Sequence, residues 1–94
     1  MISSEIFYID SERGYAVLLG YIMRLTKTEF AILKYINSSD GRYVSAQDII
    51  ENVSAGRALT VGSVAVHICN INKQATKIRG RKLIEVRRFK GYYI

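Results

Sequence analysis

Ser63, Val66, His67, Asn70, Lys73, Gln74 and Lys77 recur at intervals of three and four residues, so a helix would gather them on one face. Their chemistry is that of a duplex reader. Asn and Gln set a donor beside an acceptor, the pattern that an adenine edge complements in the major groove. A small apolar side chain such as Val66 can lie on a thymine methyl, and Lys73 and Lys77 can neutralise phosphates. An ordinary solvated helix face would mix in Glu or Asp, and none interrupts this one. Further on, Arg87, Arg88 and Lys90 cluster within four positions. An arginine on an exposed hairpin can enter a minor groove, where the negative potential is strongest when the groove is narrow.

The charge of the whole chain agrees with such a face. From Arg57 to Ile94 nine Lys or Arg stand against Glu85 alone, a net of +8, whereas Met1–Gly56 holds five basic and seven acidic residues, a net of −2; together they make the total of +6. Surplus like charge on a small fold is self-repulsive unless a polyanion neutralises it. The alternative for the charge alone is a solvated basic surface.

The length of 94 residues makes a single domain over 1–94, with Met1–Ser4 as a linker remnant; a chain of this size buries roughly 60 to 65% of its unfolded surface. No apolar run approaches the roughly 20 residues needed to span a membrane, and Met1–Tyr8 lacks the basic-then-apolar pattern of a signal peptide, so a cytoplasmic location is expected. The single cysteine, Cys69, excludes an intramolecular disulfide, and its helical setting predicts a small buried or half-buried side chain. One Cys and one His are too few for a zinc site. No cofactor is expected. No carboxylate lies near His67 in sequence to complete a relay, and no Gly-rich phosphate loop occurs, so no catalytic residue is assigned and an enzyme is not expected.

The elements that must carry these residues follow from periodicity. Glu5–Ile9, Tyr15–Leu19 and Ile22–Leu25 read as strands of an antiparallel meander, with a turn at Asp10–Gly14 and a reversal at Gly20 and Tyr21. Thr26 with Glu29 is a capping box, and Phe30, Ile32, Leu33, Tyr35 and Ile36 give the following helix its apolar face before Ser38–Gly41 ends it. Ser45 with Asp48 caps a short second helix whose Ile49, Ile50 and Val53 face the core. After a loop at 54–59, Thr60 or Ser63 caps a third helix reaching Ala75 or Ile78, with Val61, Val64, Ile68, Ile71, Ala75 and Ile78 as its buried stripe. Leu83–Arg87 and Phe89–Ile94 read as two strands around the basic tip, with Ile84 and Val86 on one side and Gly91 permitting a bend. The fold class is therefore α+β: an N-terminal antiparallel sheet, three helices, and a C-terminal β-hairpin wing, the order of a winged helix-turn-helix.

Leu25-Thr26-Lys27-Thr28-Glu29-Phe30, Val44-Ser45, Val64-Ala65-Val66-His67-Ile68, and Ile84 through Arg88 to Gly91-Tyr92 resemble, in order and spacing, the effector domain of OmpR/PhoB-type response regulators over about residues 5–94. The resemblance implies sequence-specific binding of double-stranded DNA for transcription regulation. It implies a recognition helix over about Val61–Ala75 in the major groove and a wing over Leu83–Ile94 at the minor groove. Val66, Asn70 and Arg88 would face bases, while Ser63, His67, Lys73, Gln74, Lys77, Arg87 and Lys90 would contact the backbone. It also implies a monomer when free, head-to-tail protomers on direct repeats, and RNA polymerase as a further partner through the loop after the second helix, where this chain has Ser54 at a position the family often fills with Trp. Ala65 stands where the family usually has Asp, and Ile71-Asn72-Lys73-Gln74 replaces a more cationic Leu-Arg-Lys-Lys stretch. The receiver domain of such regulators is not in this sequence, and the start beside the first strand is read as that of an excised output domain, with a stand-alone regulator as the other option.

Two rival classes use the same elements. A winged helix can be a protein-interaction module without sequence-specific DNA binding, which the basic wing disfavours. An RNA binder would need exposed aromatics to stack on unpaired bases, for which Tyr21, Tyr43 and Tyr93 are the candidates.

Overall fold

A computed structural model describes residues 7–53 and 59–94. The expected linker Met1–Ser4, the start of the first strand at Glu5–Ile6, and Ser54 and Arg57 of the loop lie outside the described residues. The chain opens on a three-stranded antiparallel sheet of β1 (Phe7–Asp10), β2 (Tyr15–Leu18) and β3 (Tyr21–Ile22) in that order. Phe7 pairs with Leu18 and Asp10 with Tyr15. Asp10 makes the first turn, its side chain accepting from the Arg13 amide at 3.0 Å and its carbonyl from the Gly14 amide at 2.8 Å. The second reversal sits at Leu19 and Gly20, one residue earlier than the sequence predicts. Both adopt positive φ, 51° and 83°, which is what a two-residue hairpin turn requires. The third strand is correspondingly shorter than Ile22–Leu25. Beyond it only the Met23 amide, donating to the Ala16 carbonyl at 2.9 Å, prolongs the pairing.

The helices begin where the local capping chemistry predicts. In α1 (Lys27–Ser38) the Thr26 hydroxyl accepts from the Glu29 amide and the Glu29 carboxylate accepts from the Thr26 amide, both at 3.1 Å. In α2 (Ala46–Val53) Ser45 and Asp48 exchange the same pair of bonds at 3.0 and 3.3 Å. Thr60 caps α3 (Val61–Arg79), which runs past the expected end to Gly80, a left-handed residue at φ 82° whose amide closes on Thr76. Ile32, Leu33 and Ile36 of α1, Ile49 of α2, and Val64, Ile68, Ile71 and Ala75 of α3 meet Leu18 of the sheet and Ile84 before the wing in one core. Each of the Val, Leu and Ile side chains contributes roughly 1.5 to 3 kcal/mol by burial. Val61 does not join them: at the first turn of α3 it is 59% exposed, because that turn projects beyond the packed part of the helix.

The wing is β4 (Glu85–Arg87) paired with β5 (Gly91–Tyr93), Arg87 opposite Gly91. It is tied to the body at two places. Asn72 of α3 accepts from the Leu83 and Ile84 amides at 3.0 and 2.8 Å and donates to the Ile84 carbonyl at 3.0 Å. Val44 and Tyr92 exchange backbone bonds at 2.9 and 2.8 Å, tying the α1–α2 connection to the hairpin by a single antiparallel bridge. Gly91 has to be glycine for that approach, since a Cβ there would lie 2.2 Å from the Val44 carbonyl oxygen. Ile84 is buried, but Val86 is 54% exposed. The expected common side for the two fails because Ile84 enters the core before the hairpin begins.

Candidate nucleic-acid interface

The outer surface of α3 is built by exclusion. With Val64, Ile68, Ile71 and Ala75 inward, Gly62, Val66, Cys69, Lys73, Thr76 and Lys77 point to solvent. Val66 is 58% exposed, with the exposed Ala65 and Cys69 beside it and Lys73 two turns on. Cys69, expected to be buried or half-buried, is exposed, because it lies on the far side from the core stripe. Ser63, His67, Asn70 and Gln74 sit on the flank of the helix and are half-buried. The expected reading face is thus rotated: its centre runs through Val66 and Lys73, with His67 and Asn70 at one edge.

That edge meets Glu29. The Asn70 amide donates to the Glu29 carboxylate at 3.1 Å, and Nδ1 of His67 lies 3.3 Å from the same oxygen. Glu29 is 6% exposed, so the fold brings to His67 a carboxylate that lies 38 residues away in sequence. Burial alone raises the pKa of this carboxyl. The Thr26 amide, Asn70 and His67 together outweigh burial and hold it below the ordinary glutamate value. Every buried side-chain polar atom among the described residues has a partner. Ser63 is engaged in the cap, its hydroxyl donating to the Thr60 carbonyl at 3.1 Å and accepting from the Thr60 amide at 2.9 Å.

The wing presents its cations differently. Arg87, Arg88 and Lys90 are all exposed, Arg87 at the end of β4 and the other two in the turn, which the Lys90 amide closes on the Arg87 carbonyl at 3.1 Å. Lys90 lies 5.6 Å from the centre of the Tyr43 ring, and Tyr43 stacks on Tyr93 at 4.7 Å. Of the three tyrosines proposed for RNA stacking, Tyr21 is exposed, and the other two are half-buried in this stack. Between α3 and the wing runs a cleft of about 300 Å³ lined by Ala65, Cys69, Asn72, Lys82, Val86 and Tyr92. A larger groove of about 550 Å³ follows the second half of α3, where Lys73 and Lys77 are joined by Arg24 and Lys82. The sequence assigns neither of these last two cations to the site, since Arg24 precedes α1 and Lys82 follows Arg81 in connections where no period marks a face. Among the described residues no His, Cys, Asp or Glu cluster could hold a metal, and no helix is long and apolar enough to cross a membrane.

Comparison with known proteins gives this geometry a context. The family described as transcriptional regulatory protein, C terminal, matches residues 20–94. Among solved structures, the DNA-binding domain of the response regulator AdeR, in complex with an intercistronic region, superposes with a TM-score of 0.82 at 15% identity, covering 94% of this chain and 92% of that one. The DNA-binding domain of CpxR from E. coli gives 0.75 at 24% identity, covering 98% and 96%. The C-terminal effector domain of BfmR from Acinetobacter baumannii gives 0.69 at 27% identity, covering 99% and 91%. No curated protein matches the sequence. A winged helix with an N-terminal sheet, matched by the family over four-fifths of its length, leaves one conclusion: the chain belongs to the transcriptional regulatory protein C-terminal family, the OmpR/PhoB-type effectors that bind DNA as output domains of response regulators.

Proposed function

We propose that α3 lies along the major groove of a specific DNA site and the wing enters the adjacent minor groove. Val66 and Asn70 face bases, Arg88 reaches the minor-groove floor, and Ser63, His67, Lys73, Gln74, Lys77, Arg87 and Lys90 position the domain on phosphates. The observation that carries this is the carboxylate-free outer surface of α3 set across one cleft from a wing whose tip is cationic. Glu29 fits the same scheme as a positioning residue. An amide has two N–H groups and one carbonyl oxygen. Asn70 gives one N–H to Glu29 and retains one N–H and the oxygen, the pair that a bidentate contact to adenine uses. His67 directs Nδ1 at the carboxylate, so a phosphate oxygen would meet Nε2, which donates only in the imidazolium form. Ser63 can donate to a phosphate only by releasing the Thr60 carbonyl.

The domain acts by binding alone, without catalysis or cofactor, in the cytoplasm. It is a monomer when free and pairs head to tail on direct repeats, with RNA polymerase as a further partner of the α2–α3 connection. Selection of bound duplexes from random DNA should return a repeated motif. If the α3 and wing cations neutralise about four to six phosphates per protomer, log K should fall against log salt with a slope near about −4 to −5. A slope near zero, or a selection that enriches nothing, would overturn the proposal.

A further inference from the structure

Phe89 is 98% exposed at the outermost turn of the wing, and two things make that costly. A full aromatic ring stands in water, and its backbone sits at φ 67°, the left-handed region that glycine occupies without strain. Among the described residues no packing offsets either cost: the ring is 98% exposed, with the Arg88 guanidinium 5.6 Å from its centre. The position is also held firmly, because Arg87 pairs with Gly91 and β5 is bonded to Val44 just below it. An apolar plate fixed between two exposed cations, Arg88 and Lys90, fits a partner with negative rims and an apolar interior. The DNA minor groove is that shape: two rows of phosphate, walls of deoxyribose, and stacked bases between them.

Resting on the function proposed above, we propose that Phe89 is a wedge that enters the minor groove beside Arg88 and inserts at a flexible pyrimidine–purine step, unstacking it and kinking the duplex. Such steps, TA and CA/TG, deform most easily, and an inserted Phe can exchange its water contacts for base contacts. The Arg88 guanidinium then leaves the ring face to a base and turns to the groove or its phosphates. Specificity would thus arise at a flank that no hydrogen bond reads.

The test compares the wild-type domain with Phe89→Gly and Phe89→Leu on selected duplexes carrying either a TA step or a G·C step under the wing. It measures affinity and, by energy transfer between labelled ends, bending. Phe89→Gly relieves the left-handed strain, so its melting temperature should not fall. Its affinity for the TA duplex should nonetheless drop by about tenfold or more, the scale of a lost base–aromatic stack. The bend and the TA preference should vanish with it, and Phe89→Leu should keep most of both. Unchanged binding and bending in Phe89→Gly would overturn the wedge. So would an equal loss on both flanks without a change in bend, which would leave the ring against sugars only. A loss confined to two-site duplexes and absent from single sites would place the ring against a neighbouring protomer and also overturn it. A wild-type domain that binds no selected duplex would overturn the parent proposal, before any variant is measured.

Discussion

On α3, His67 and Asn70 reach back to a carboxylate that is 6% exposed, whereas on the wing Arg87, Arg88 and Lys90 stand in solvent around a phenylalanine that is 98% exposed. The helix orients its polar groups before any ligand arrives, through a residue that also caps α1 and closes the interior. The wing leaves its cations exposed and makes their platform rigid, through Asn72, Val44 and Gly91. On the proposed function, stability and recognition are therefore coupled at the edge of α3 and separable at the wing tip. Substitutions rank accordingly: the platform should be the most sensitive, the shared carboxylate intermediate, and the tip nearly silent in stability.

The largest effect is expected at the platform. Gly91→Ala would place a Cβ 2.2 Å from the Val44 oxygen and 2.7 Å from its carbon, at φ 114°, and backbone on both sides leaves nothing flexible to yield. A loss of about 2 to 4 kcal/mol is expected by chemical denaturation. Gly20→Ala is the control. It also has positive φ but meets open space, so it should cost only about 1 to 2 kcal/mol, the left-handed penalty of a Cβ. Equal losses at the two positions would mean that the hairpin is not held against Val44.

Glu29→Gln should come next, at about 1 to 3 kcal/mol, because the amide keeps the shape but loses the charge-assisted bonds from Thr26, Asn70 and His67. The pH dependence has a definite sign. The folded state holds the Glu29 pKa below its ordinary value, so the unfolded state binds the proton first on acidification. The stability from Glu29 is then present above the unfolded pKa and is lost as pH falls through the folded one. Thermal unfolding of the two proteins from neutral to acid pH should show a difference that shrinks on acidification. A difference that stays constant would assign the loss to shape and not to charge.

What could be foreseen followed the range of the interaction. Thr26 with Glu29 and Ser45 with Asp48 are legible because a capping box is written within four residues, and Val64, Ile68, Ile71 and Ala75 because a helix repeats its inward face. The same period misplaces Val61 and Cys69. It cannot tell where α3 leaves the packed body, and a small sulfur side chain is tolerated on the solvent side as well as in the stripe. The bonds from His67 and Asn70 to Glu29 span two helices and left no local signal, although both residue types were singled out on the helix. At the wing, alternation assigns Phe89 to a strand, whereas the hairpin closes between Arg87 and Gly91 and leaves the ring in the turn. Turn geometry decided that position over hydrophobicity. A phenylalanine at φ 67° is a placement that propensity argues against.

The smallest change in stability is expected at the tip, and there the comparison is tested on function. Arg88 belongs to the turn, its guanidinium 5.6 Å from the centre of the Phe89 ring, while Arg87 ends β4 opposite Gly91. Both guanidinium groups are exposed, so Arg87→Ala and Arg88→Ala should each stay within about 0.5 kcal/mol of the parent in thermal or chemical unfolding. Their effects on DNA should differ. A cation inserted in the minor groove gains most where the groove is narrow, so Arg88→Ala should weaken binding more on A·T-rich flanks than on G·C-rich ones. A cation on the phosphate rows gains alike from any sequence, so Arg87→Ala should weaken both flanks equally and make the salt dependence shallower by about one phosphate. The flank-dependent loss appearing in Arg87→Ala alone would exchange the two roles, since β-strand side chains alternate in direction and the ladder ends between these neighbours. No loss in either variant would take the wing out of recognition and leave affinity to Lys73, Lys77 and the groove they share with Arg24 and Lys82.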